Sequence, residues 1–452
     1  MSPKRTLIKN ALVLATMSPD DPPWSNGYVW IENGTIAEVG TGEPRPFAAD
    51  RSIDASDKVV LPGLINTHHH LYQTLTRAYP RALDCELFEW LVSLYPVWAK
   101  IDEEAVRLSA LVGMAELLLS GCTTTTDHLY LFPRGQNRLI DAEIQAAREI
   151  GIRFHPTRGS MSLSEKDGGL PPDSVVQTPE EILRDSQRVI SAYHDPRPGA
   201  MVRIALAPCS PFSVSQALMR ETAALARDKQ VRLHTHLAET RDEVRYCLEK
   251  FGVRPVDYLE QAGWMDGDVW LAHGVHFDDE EVERLGGHRV GVAHCPSSNM
   301  RLGSGVCRVK DLQRSGCPVG LGVDGSASND ASHLLAEVRQ ALLLTRLARG
   351  ASAMKIMEAF VLATAGGAAC LGRDDIGQLA VGKSADVAIF SLEAIGYSGV
   401  GDPLAALLLC HPTAVDTLLI NGEIVVEDGH LQTLELPSIL EAHRRWAKEI
   451  MA

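Results

Sequence analysis

The segment PGLINTHHH, residues 62–70, joins the end of an apolar run to three consecutive histidines. The run Val59–Asn66 is short and rich in aliphatic residues, which is typical of a buried strand. Because alternate side chains of a strand share one face, we expect His68 and His70 to project together and His69 to point away. Two imidazoles on one face can chelate a borderline metal ion, although a solvated histidine cluster would have the same sequence. The segment therefore predicts a strand that ends in either a metal site or a polar cluster.

Seven more apolar runs follow this strand, with helical segments between most of them. The eight runs are Val59–Asn66, Thr123–Leu129, Ile152–Thr157, Val202–Pro208, Val231–Leu237, Val269–Gly274, Val290–His294 and Val319–Asp324. Examples of the helical segments are Glu103–Leu119, Gln216–Asp228 and Ala331–Leu347. This alternation is typical of an α/β protein with a parallel sheet, and eight units predict a (β/α)8 barrel like the TIM barrel. An open doubly wound sheet is the alternative, but no GxGxxG follows the first strand and polar residues stand at the strand ends, which favours the barrel.

Both ends of the chain contain short alternating strands with an Asn-Gly hairpin signal, at Asn33-Gly34 and at Asn421-Gly422. We therefore expect a small β-sandwich domain built from both termini, with a closing helix over residues 438–452. The predicted division of the chain is residues 1–58 for the first part of this domain, 59–370 for the barrel and 371–452 for the second part with its helix.

Composition excludes several classes of protein. The chain of 452 residues has a net charge of −15 and no evident basic patch, which argues against a nucleic-acid partner. Its nine cysteines include no CxxC pair, so neither a disulfide framework nor a thiolate zinc site is expected. No apolar stretch approaches the roughly 20 residues that span a bilayer, and the first 16 residues do not have the pattern of a signal peptide. We expect a cytoplasmic protein with no nucleic-acid or membrane partner.

Other polar candidates stand at the ends of later strands. His236 and Glu239 follow the fifth run, His273 ends the sixth and Asp324 ends the eighth. In a barrel, residues at the carboxyl ends of the strands form the usual active-site face. An Asp-Gly pair alone indicates a turn, but a carboxylate that closes an apolar run needs a strong partner, and a cation would serve. His234 lies deeper in its strand and is expected in the core.

In these segments the chain resembles the amidohydrolase superfamily over nearly its whole length. The resemblance rests on five segments in the family's order, namely residues 62–70, 236–239, 272–273, 321–324 and 377–386. It implies a metal-dependent hydrolase barrel packed on a small β-domain. Binuclear members such as dihydroorotase and hydantoinase carry a carboxylated lysine near strand four, and residues 202–209 contain no lysine. The resemblance is therefore to the mononuclear deaminase branch. It implies one divalent metal ion bound by His68, His70, His236 and Asp324. Zinc is the first choice and iron is the alternative.

The resemblance also implies three catalytic roles. Asp324 would take a proton from the water that the metal activates. Glu239 would protonate the ring nitrogen beside the carbon under attack. His273 would orient the water or stabilise the tetrahedral oxygen, which are tasks suited to an imidazole.

Within the deaminase branch the chain is most similar to the 8-oxoguanine deaminases, on residues 68–77 and 207–213. The implied reaction is the hydrolytic deamination of an aminated purine lactam, 8-oxoguanine, to urate and ammonia. Guanine deaminases of the superfamily carry an Arg-Phe pair after strand four, where this chain has Cys209-Ser210-Pro211. That departure argues against guanine as the preferred substrate.

Three residues are candidates for substrate binding, each with a structural alternative. The Gln73 amide offers a donor and an acceptor to a purine lactam, or it is a surface glutamine. The Cys209 thiol would accommodate an 8-oxo group, or it is inert packing. Trp90, like Trp98, would stack on a planar ring, or it packs in the core or in a lid formed by residues 71–100.

Three other functions remain open from the sequence. An s-triazine amino- or chlorohydrolase of the hydroxyatrazine type would use the same fold and metal, and so would a guanine or isocytosine deaminase. A barrel without activity, used as a binding module, would be expected to lack a ligand or the proton donor, and here all are present. The family resemblance further implies a small heterocyclic substrate and a homo-oligomer.

Overall fold

Short strands and helices alternate along most of the chain in the computed structural model, which describes residues 4–46, 48–410 and 412–452. The strands, in chain order, are β1 (Arg5–Ala11), β2 (Val13–Leu14), β3 (Gly27–Glu32), β4 (Thr35–Thr41), β5 (Arg51–Asp54), β6 (Lys58–Pro62), β7 (Leu64–Asn66), β8 (His69–His70), β9 (Cys122–Leu129), β10 (Arg153–Ser160), β11 (Ala205–Pro208), β12 (Arg232–Leu237), β13 (Val269–His273), β14 (Gly291–His294), β15 (Val319–Leu321), β16 (Asp324–Gly325), β17 (Val387–Ser391), β18 (Thr417–Ile420), β19 (Glu423–Glu427) and β20 (His430–Leu431). The α-helices are α1 (Leu87–Trp98), α2 (Glu103–Leu119), α3 (Leu139–Ile150), α4 (Pro179–Tyr193), α5 (Gln216–Asp228), α6 (Arg241–Phe251), α7 (Pro255–Gln261), α8 (Asp279–Gly287), α9 (Pro296–Arg301), α10 (Val309–Ser315), α11 (Leu334–Arg349), α12 (Ile356–Leu362), α13 (Ala365–Cys370), α14 (Pro403–Leu409) and α15 (Leu436–Met451).

Eight parallel strands close into a barrel, as the sequence predicts. They follow one another around the barrel in the order β7, β9, β10, β11, β12, β13, β14 and β15, and β15 pairs with β7. Each of the eight predicted runs overlaps one of these strands. Helices α2 and α5 have the predicted bounds, whereas α11 begins at Leu334 because the His333 side chain accepts a hydrogen bond from the Ala336 N–H and caps the helix there.

The two ends of the chain form a β-sandwich of two sheets. One sheet has the order β4-β3-β1-β5 and the other the order β2-β6-β17-β18-β19-β20, so the second combines strands from both termini. Fully buried aliphatic side chains fill the space between the sheets, among them Ile8, Val29, Val60, Val387 and Leu419. The predicted small domain is confirmed, while the residue numbers of the domain boundaries stay predictions.

The predicted first strand, Val59–Asn66, is divided at Gly63. Its first part, β6, pairs with β17 in the sandwich, and its second part, β7, pairs with β9 in the barrel. A Cβ atom at residue 63 would lie 2.1 Å from Thr123 Oγ1, so only glycine allows the chain to cross at this point. The small domain is thereby joined directly to the strand that leads to the histidines.

Two further contacts hold the sandwich and the terminal helix on the barrel. The guanidinium of Arg153, at the start of β10, donates two hydrogen bonds of 3.0 and 2.9 Å to the Asp386 carboxylate just before β17. Helix α15 packs beside α2, and His443 Nε2 lies 3.0 Å from Thr74 Oγ1 in the segment after β8. Within the described ranges, no helix combines the length and apolarity needed to cross a bilayer.

Candidate active site

The triple histidine and Asp324 meet because two short strands pair beyond the barrel. Strands β8 and β16 lie parallel, with Asp324 opposite His69 and its N–H donating to the His68 carbonyl over 3.1 Å. His69 Nε2 turns away to lie 3.1 Å from Ser332 Oγ. The alternation predicted for residues 68–70 therefore holds, and His68 and His70 face Asp324.

The four predicted ligands converge in one buried cluster. His70 Nε2 lies 3.1 Å from His236 Nε2, and Asp324 Oδ1 lies 3.3 Å from both His68 Nε2 and His70 Nε2. All four side chains are at most one-tenth exposed. His68, His70 and Asp324 form one geometric group suited to a metal ion, and His68, His128 and His236 form another.

Hydrogen bonds fix the protons of His70 and His236. His70 Nδ1 lies 2.8 Å from the His128 carbonyl oxygen, and His236 Nδ1 lies 2.8 Å from the Cys209 carbonyl oxygen. Because a carbonyl only accepts, both Nδ1 atoms carry the proton and both Nε2 atoms present bare lone pairs. Two lone pairs that face each other at 3.1 Å repel unless a proton or a cation lies between them.

A hydrogen-bonded pair of histidines fixes the position of the proton on His68. His234 Nδ1 lies 2.8 Å from the Trp270 carbonyl, so His234 Nε2 is free to accept the proton of His68 Nδ1 at 2.8 Å. His68 Nε2 is then bare, and this buried atom has no hydrogen-bond partner in the described structure. His234 is a core residue, as predicted, but no sequence pattern indicates that it orients a candidate ligand.

This donor set fits a divalent cation. Burial lowers the pKa of His68, His70 and His236, that of His236 to about 3, so the three imidazoles are neutral. Burial opposes ionisation of Asp324, but the positive charge favoured on His273, 3.9 Å from Asp324 Oδ2, lowers the pKa of this carboxyl. Ligands at the usual Zn–N distance of 2.0–2.1 Å in a tetrahedron stand about 3.3 Å apart, close to the separations found here.

Glu239 and His273 lie beside the cluster. His273 Nε2 is 3.4 Å from Glu239 Oε2 and 3.9 Å from Asp324 Oδ2. His273 Nδ1 is 3.0 Å from Asn299 Oδ1, which selects the tautomer with Nδ1 protonated. Although burial lowers the pKa of His273, the Glu239 and Asp324 carboxylates raise it above its ordinary value. Burial raises the pKa of Glu239 to about 7, which suits a group that exchanges protons near neutrality.

Unusual backbone conformations surround the same point. Ala238, His273 and Asp324 have positive φ angles of 53°, 72° and 62°, a region that residues other than glycine rarely adopt. Such residues cluster at functional sites, where the surrounding structure imposes the strain.

Glu243 is a supporting residue that sequence reasoning missed. Its carboxylate accepts hydrogen bonds from the N–H groups of Ala238 and Glu239 over 2.8 and 2.9 Å, and it holds the strained turn before α6. The Thr240-x-x-Glu243 pattern before a helix could have drawn attention to it, because such a pair usually forms a capping box. Here the glutamate accepts instead from the N–H groups one and two residues before Thr240.

One cavity is lined by three members of the cluster, His70, His236 and Asp324, and by all three predicted substrate-binding residues. It has about 420 Å³ of free space, part of which opens to solvent, and Gln73, Trp90 and Cys209 line it. Its remaining lining includes Leu87, Leu91, Tyr95, Tyr130, Phe212 and Leu302, which sequence analysis did not single out. Helix α1 therefore covers the mouth of the barrel, as expected for the segment after the first strand.

The three candidates differ in what they offer. Gln73 is fully buried, its Oε1 has no hydrogen-bond partner in the described structure, and a Cβ at Gly325 would lie 1.8 Å from that atom. Burial raises the pKa of the Cys209 thiol to about 12, so it is a neutral group in the cavity wall. Trp90 donates its indole N–H to the Ala327 carbonyl, whereas Trp98 does not line the cavity and packs against Trp90 and Tyr72.

Glu337 joins the two loops behind Asp324. Its carboxylate accepts hydrogen bonds from the Ser297 N–H over 3.0 Å, the Ser297 hydroxyl over 2.5 Å and the Asn329 amide over 3.1 Å. Burial nevertheless raises its pKa to about 7.

We expect Glu337→Gln to flatten the dependence of stability on pH. Between the ordinary pKa of 4.5 and the folded value of about 7, the folded protein binds more protons at Glu337 than the unfolded chain does. Its contribution is therefore full below pH 4.5 and declines by up to about 3 kcal/mol as the pH rises through 7. Thermal melts of the wild type and the variant from pH 4.5 to 8 measure the difference, with exposed Glu249→Gln as the control. Parallel curves for wild type and Glu337→Gln would contradict the assignment.

A closed parallel barrel with histidines and an aspartate gathered at the carboxyl ends of its strands is the arrangement of a metal-dependent barrel hydrolase. The chain belongs to the amidohydrolase family, whose model matches residues 59–425. It is 51% identical over 449 residues to an 8-oxoguanine deaminase of Pseudomonas aeruginosa, covering 99% of both chains. It is 38% identical to a hydroxydechloroatrazine ethylaminohydrolase of Pseudomonas sp. strain ADP, covering 89% of this chain and 84% of the relative.

Among solved structures, an atrazine chlorohydrolase of Arthrobacter aurescens TC1 complexed with zinc has a TM-score of 0.94 and 32% identity. The match covers 98% of this chain and all of that one. The predicted superfamily and the predicted similarity to 8-oxoguanine deaminases are both confirmed.

Proposed function

We propose that this protein is a hydrolytic deaminase that converts 8-oxoguanine and water to urate and ammonia. The observation that carries the proposal is that one cavity is lined by His70, His236 and Asp324 of the cluster, by Glu239, and by Gln73, whose Oε1 has no hydrogen-bond partner in the described structure. The full-length similarity to an 8-oxoguanine deaminase supports the choice of substrate.

We infer that His68, His70, His236 and Asp324 bind one divalent cation, zinc in the first place. The bare Nε2 atoms and the Asp324 carboxylate are the donor set for it, and a structural relative is complexed with zinc. Such a cation lowers the pKa of water to about 7 and so makes it a nucleophile near neutral pH.

The chain's own residues then move the protons. Asp324 accepts the proton that the attacking water loses. Glu239, half protonated near pH 7, donates a proton to the ring nitrogen beside the carbon under attack, because the electron pair of the C=N bond moves onto that nitrogen. His273, whose Nδ1–H donates to Asn299, donates its Nε2–H to the oxygen and holds it on line with that carbon. Asp324 then passes the proton from the water to the amino group, which leaves as ammonia. The ring carbonyl forms as the hydroxyl proton returns to Glu239.

Gln73 and Cys209 define the substrate preference in this proposal. The Gln73 amide pairs with the N–H and C=O of a purine lactam, and a ring without that pair would leave its buried Oε1 without a partner. The neutral Cys209 thiol lies in the wall next to His236, with Sγ 3.9 Å from His236 Nδ1, and gives an 8-oxo group a weakly polar contact.

Direct assay separates this function from its alternatives. We expect kcat/KM for 8-oxoguanine to exceed that for guanine, isocytosine and hydroxyatrazine by at least about tenfold. Guanine lacks the 8-oxo group that meets the Cys209 thiol, isocytosine lacks the second ring, and hydroxyatrazine is not a purine lactam. Ultraviolet absorbance reports loss of each ring, and released ammonia provides an independent measure. A higher kcat/KM for the triazine would assign the protein to the s-triazine hydrolases instead.

A further inference from the structure

A second cavity lies at the other end of the barrel from the active site. It is formed where β10, β11 and β12 begin, and its free space is about 430 Å³, part of it open to solvent. Its walls carry the guanidinium groups of Arg203 and Arg232 and the imidazoles of His155 and His194, and among its described lining residues there is no carboxylate. Burial lowers the pKa of both imidazoles, so the two arginines carry the positive charge. The lining is therefore basic, although the whole chain has a net charge of −15.

Several nitrogen atoms in this cavity have no partner. Arg203 Nε, Arg232 Nε and His155 Nδ1 are buried and make no hydrogen bond within the part of the chain that the structure describes. Both guanidinium groups are nevertheless held in place. Arg203 Nη2 donates to the carbonyls of Pro196 and Arg197 over 3.0 and 3.1 Å, and Arg232 Nη2 donates to the Cys370 carbonyl over 3.0 Å. His155 is only 2% exposed.

The positive charge of the cavity is incompletely balanced. Asp375 and Asp374 act on Arg203 from nearby, and Asp268 acts on Arg232. The Asp375 carboxylate already accepts two hydrogen bonds from Arg373, and the Asp268 carboxylate accepts two from Arg227. Burial lowers the pKa of His155 far below its ordinary value, and the charges of Arg373, Arg232 and Arg203 lower it further. Grouped cations that lack partners are costly to bury, and the cost falls when an anion joins them.

We propose that this basic cavity binds a small polyvalent oxyanion of the inorganic phosphate type. Guanidinium groups that are fixed by backbone carbonyls and still have a free N–H match tetrahedral oxyanions in charge and in geometry. Gly372, with φ of +62°, allows Arg232 to reach the cavity, because a Cβ there would lie 2.6 Å from Arg232 Nη1. The site is separate from the proposed catalytic function, since it lies at the amino ends of the strands.

Titration calorimetry with inorganic phosphate tests the proposal on the metal-loaded protein at constant ionic strength. We expect one saturable site in the wild type and at least tenfold weaker binding in Arg203→Gln. The matched control is Arg245→Gln on the exposed face of α6, which should bind phosphate as the wild type does. Unchanged affinity in Arg203→Gln, or no saturable binding to the wild type, would overturn the proposal. Phosphate binding that disappears when the metal is removed and is unchanged in Arg203→Gln would place the anion at the catalytic centre. That result would also overturn the proposal.

A second measurement needs no variant and therefore does not depend on the folding of Arg203→Gln. Phenylglyoxal modifies accessible arginines, and mass spectrometry of the digested protein gives the rate at each residue. We expect phosphate to slow modification of Arg203 and Arg232 in the wild type and to leave Arg245 unaffected. Equal protection of all three arginines, or protection of none, would contradict a specific site.

Discussion

Replacing Glu239 with glutamine is expected to lower kcat for 8-oxoguanine by about 10³- to 10⁴-fold, while the metal content stays at the wild-type level. Glutamine has nearly the same shape and keeps the backbone hydrogen bond from the Glu239 N–H to Glu243. It cannot give a proton to the ring nitrogen, so the step in which negative charge develops there loses its acid. Steady-state kinetics and metal analysis of the same preparation measure the two quantities.

The matched control is Glu249→Gln. Glu249 is exposed and lies on α6, the helix that begins just after Glu239. It should retain wild-type kcat. If Glu239→Gln also turned over at close to the wild-type rate, Glu239 would have no part in proton transfer, and the metal-bound cluster would have to act with another acid.

Replacing His236 with asparagine is expected to remove most of the bound metal and to lower kcat/KM by at least about 10³-fold. The wild type should contain one divalent ion per chain. His236 Nε2 faces His70 Nε2 at 3.1 Å, and the loss of this imidazole would take away one of the lone pairs that we propose bind the cation. A divalent metal at this site would contribute several kcal/mol of transition-state stabilisation, and each 1.36 kcal/mol corresponds to a factor of ten in rate.

His288→Asn is the control for this prediction, because His288 is exposed and lies after α8, outside the described cavity lining. Elemental analysis gives the metal content of each variant. Two equivalents per wild-type chain, or none in an active preparation, would contradict the single-metal assignment. Full metal content in His236→Asn would remove His236 from the ligand set.

The sequence was sufficient for the barrel because its strands are buried on both faces and therefore read as continuous apolar runs. It was equally informative about residues 68–70, since strand alternation alone separates His68 and His70 from His69. Predicted groups from four strand ends do meet, because a closed parallel barrel brings the carboxyl ends of its strands to one rim.

What the sequence could not supply is the support behind those groups. His234 orients His68, Asn299 orients His273 and Glu243 holds Glu239, and each pair depends on a register or a turn that no local pattern specifies. The division at Gly63 was missed for a related reason, because two short strands in different sheets read as one apolar run. The basic cavity was invisible because His155, Arg203 and Arg232 are scattered over 78 positions and are gathered only by strand pairing.

The crossing at Gly63 limits how this enzyme can be recombined with its relatives. The Gly63 N–H donates to the Asp386 carbonyl over 2.9 Å, and Pro62 pairs with Val387, so the peptide that leads to His68 is anchored by the far end of the chain. A barrel produced without the terminal segments would lack this anchor, and its first histidines would lose their alignment. Chimeric proteins should therefore take the sandwich and the barrel together from the same parent protein.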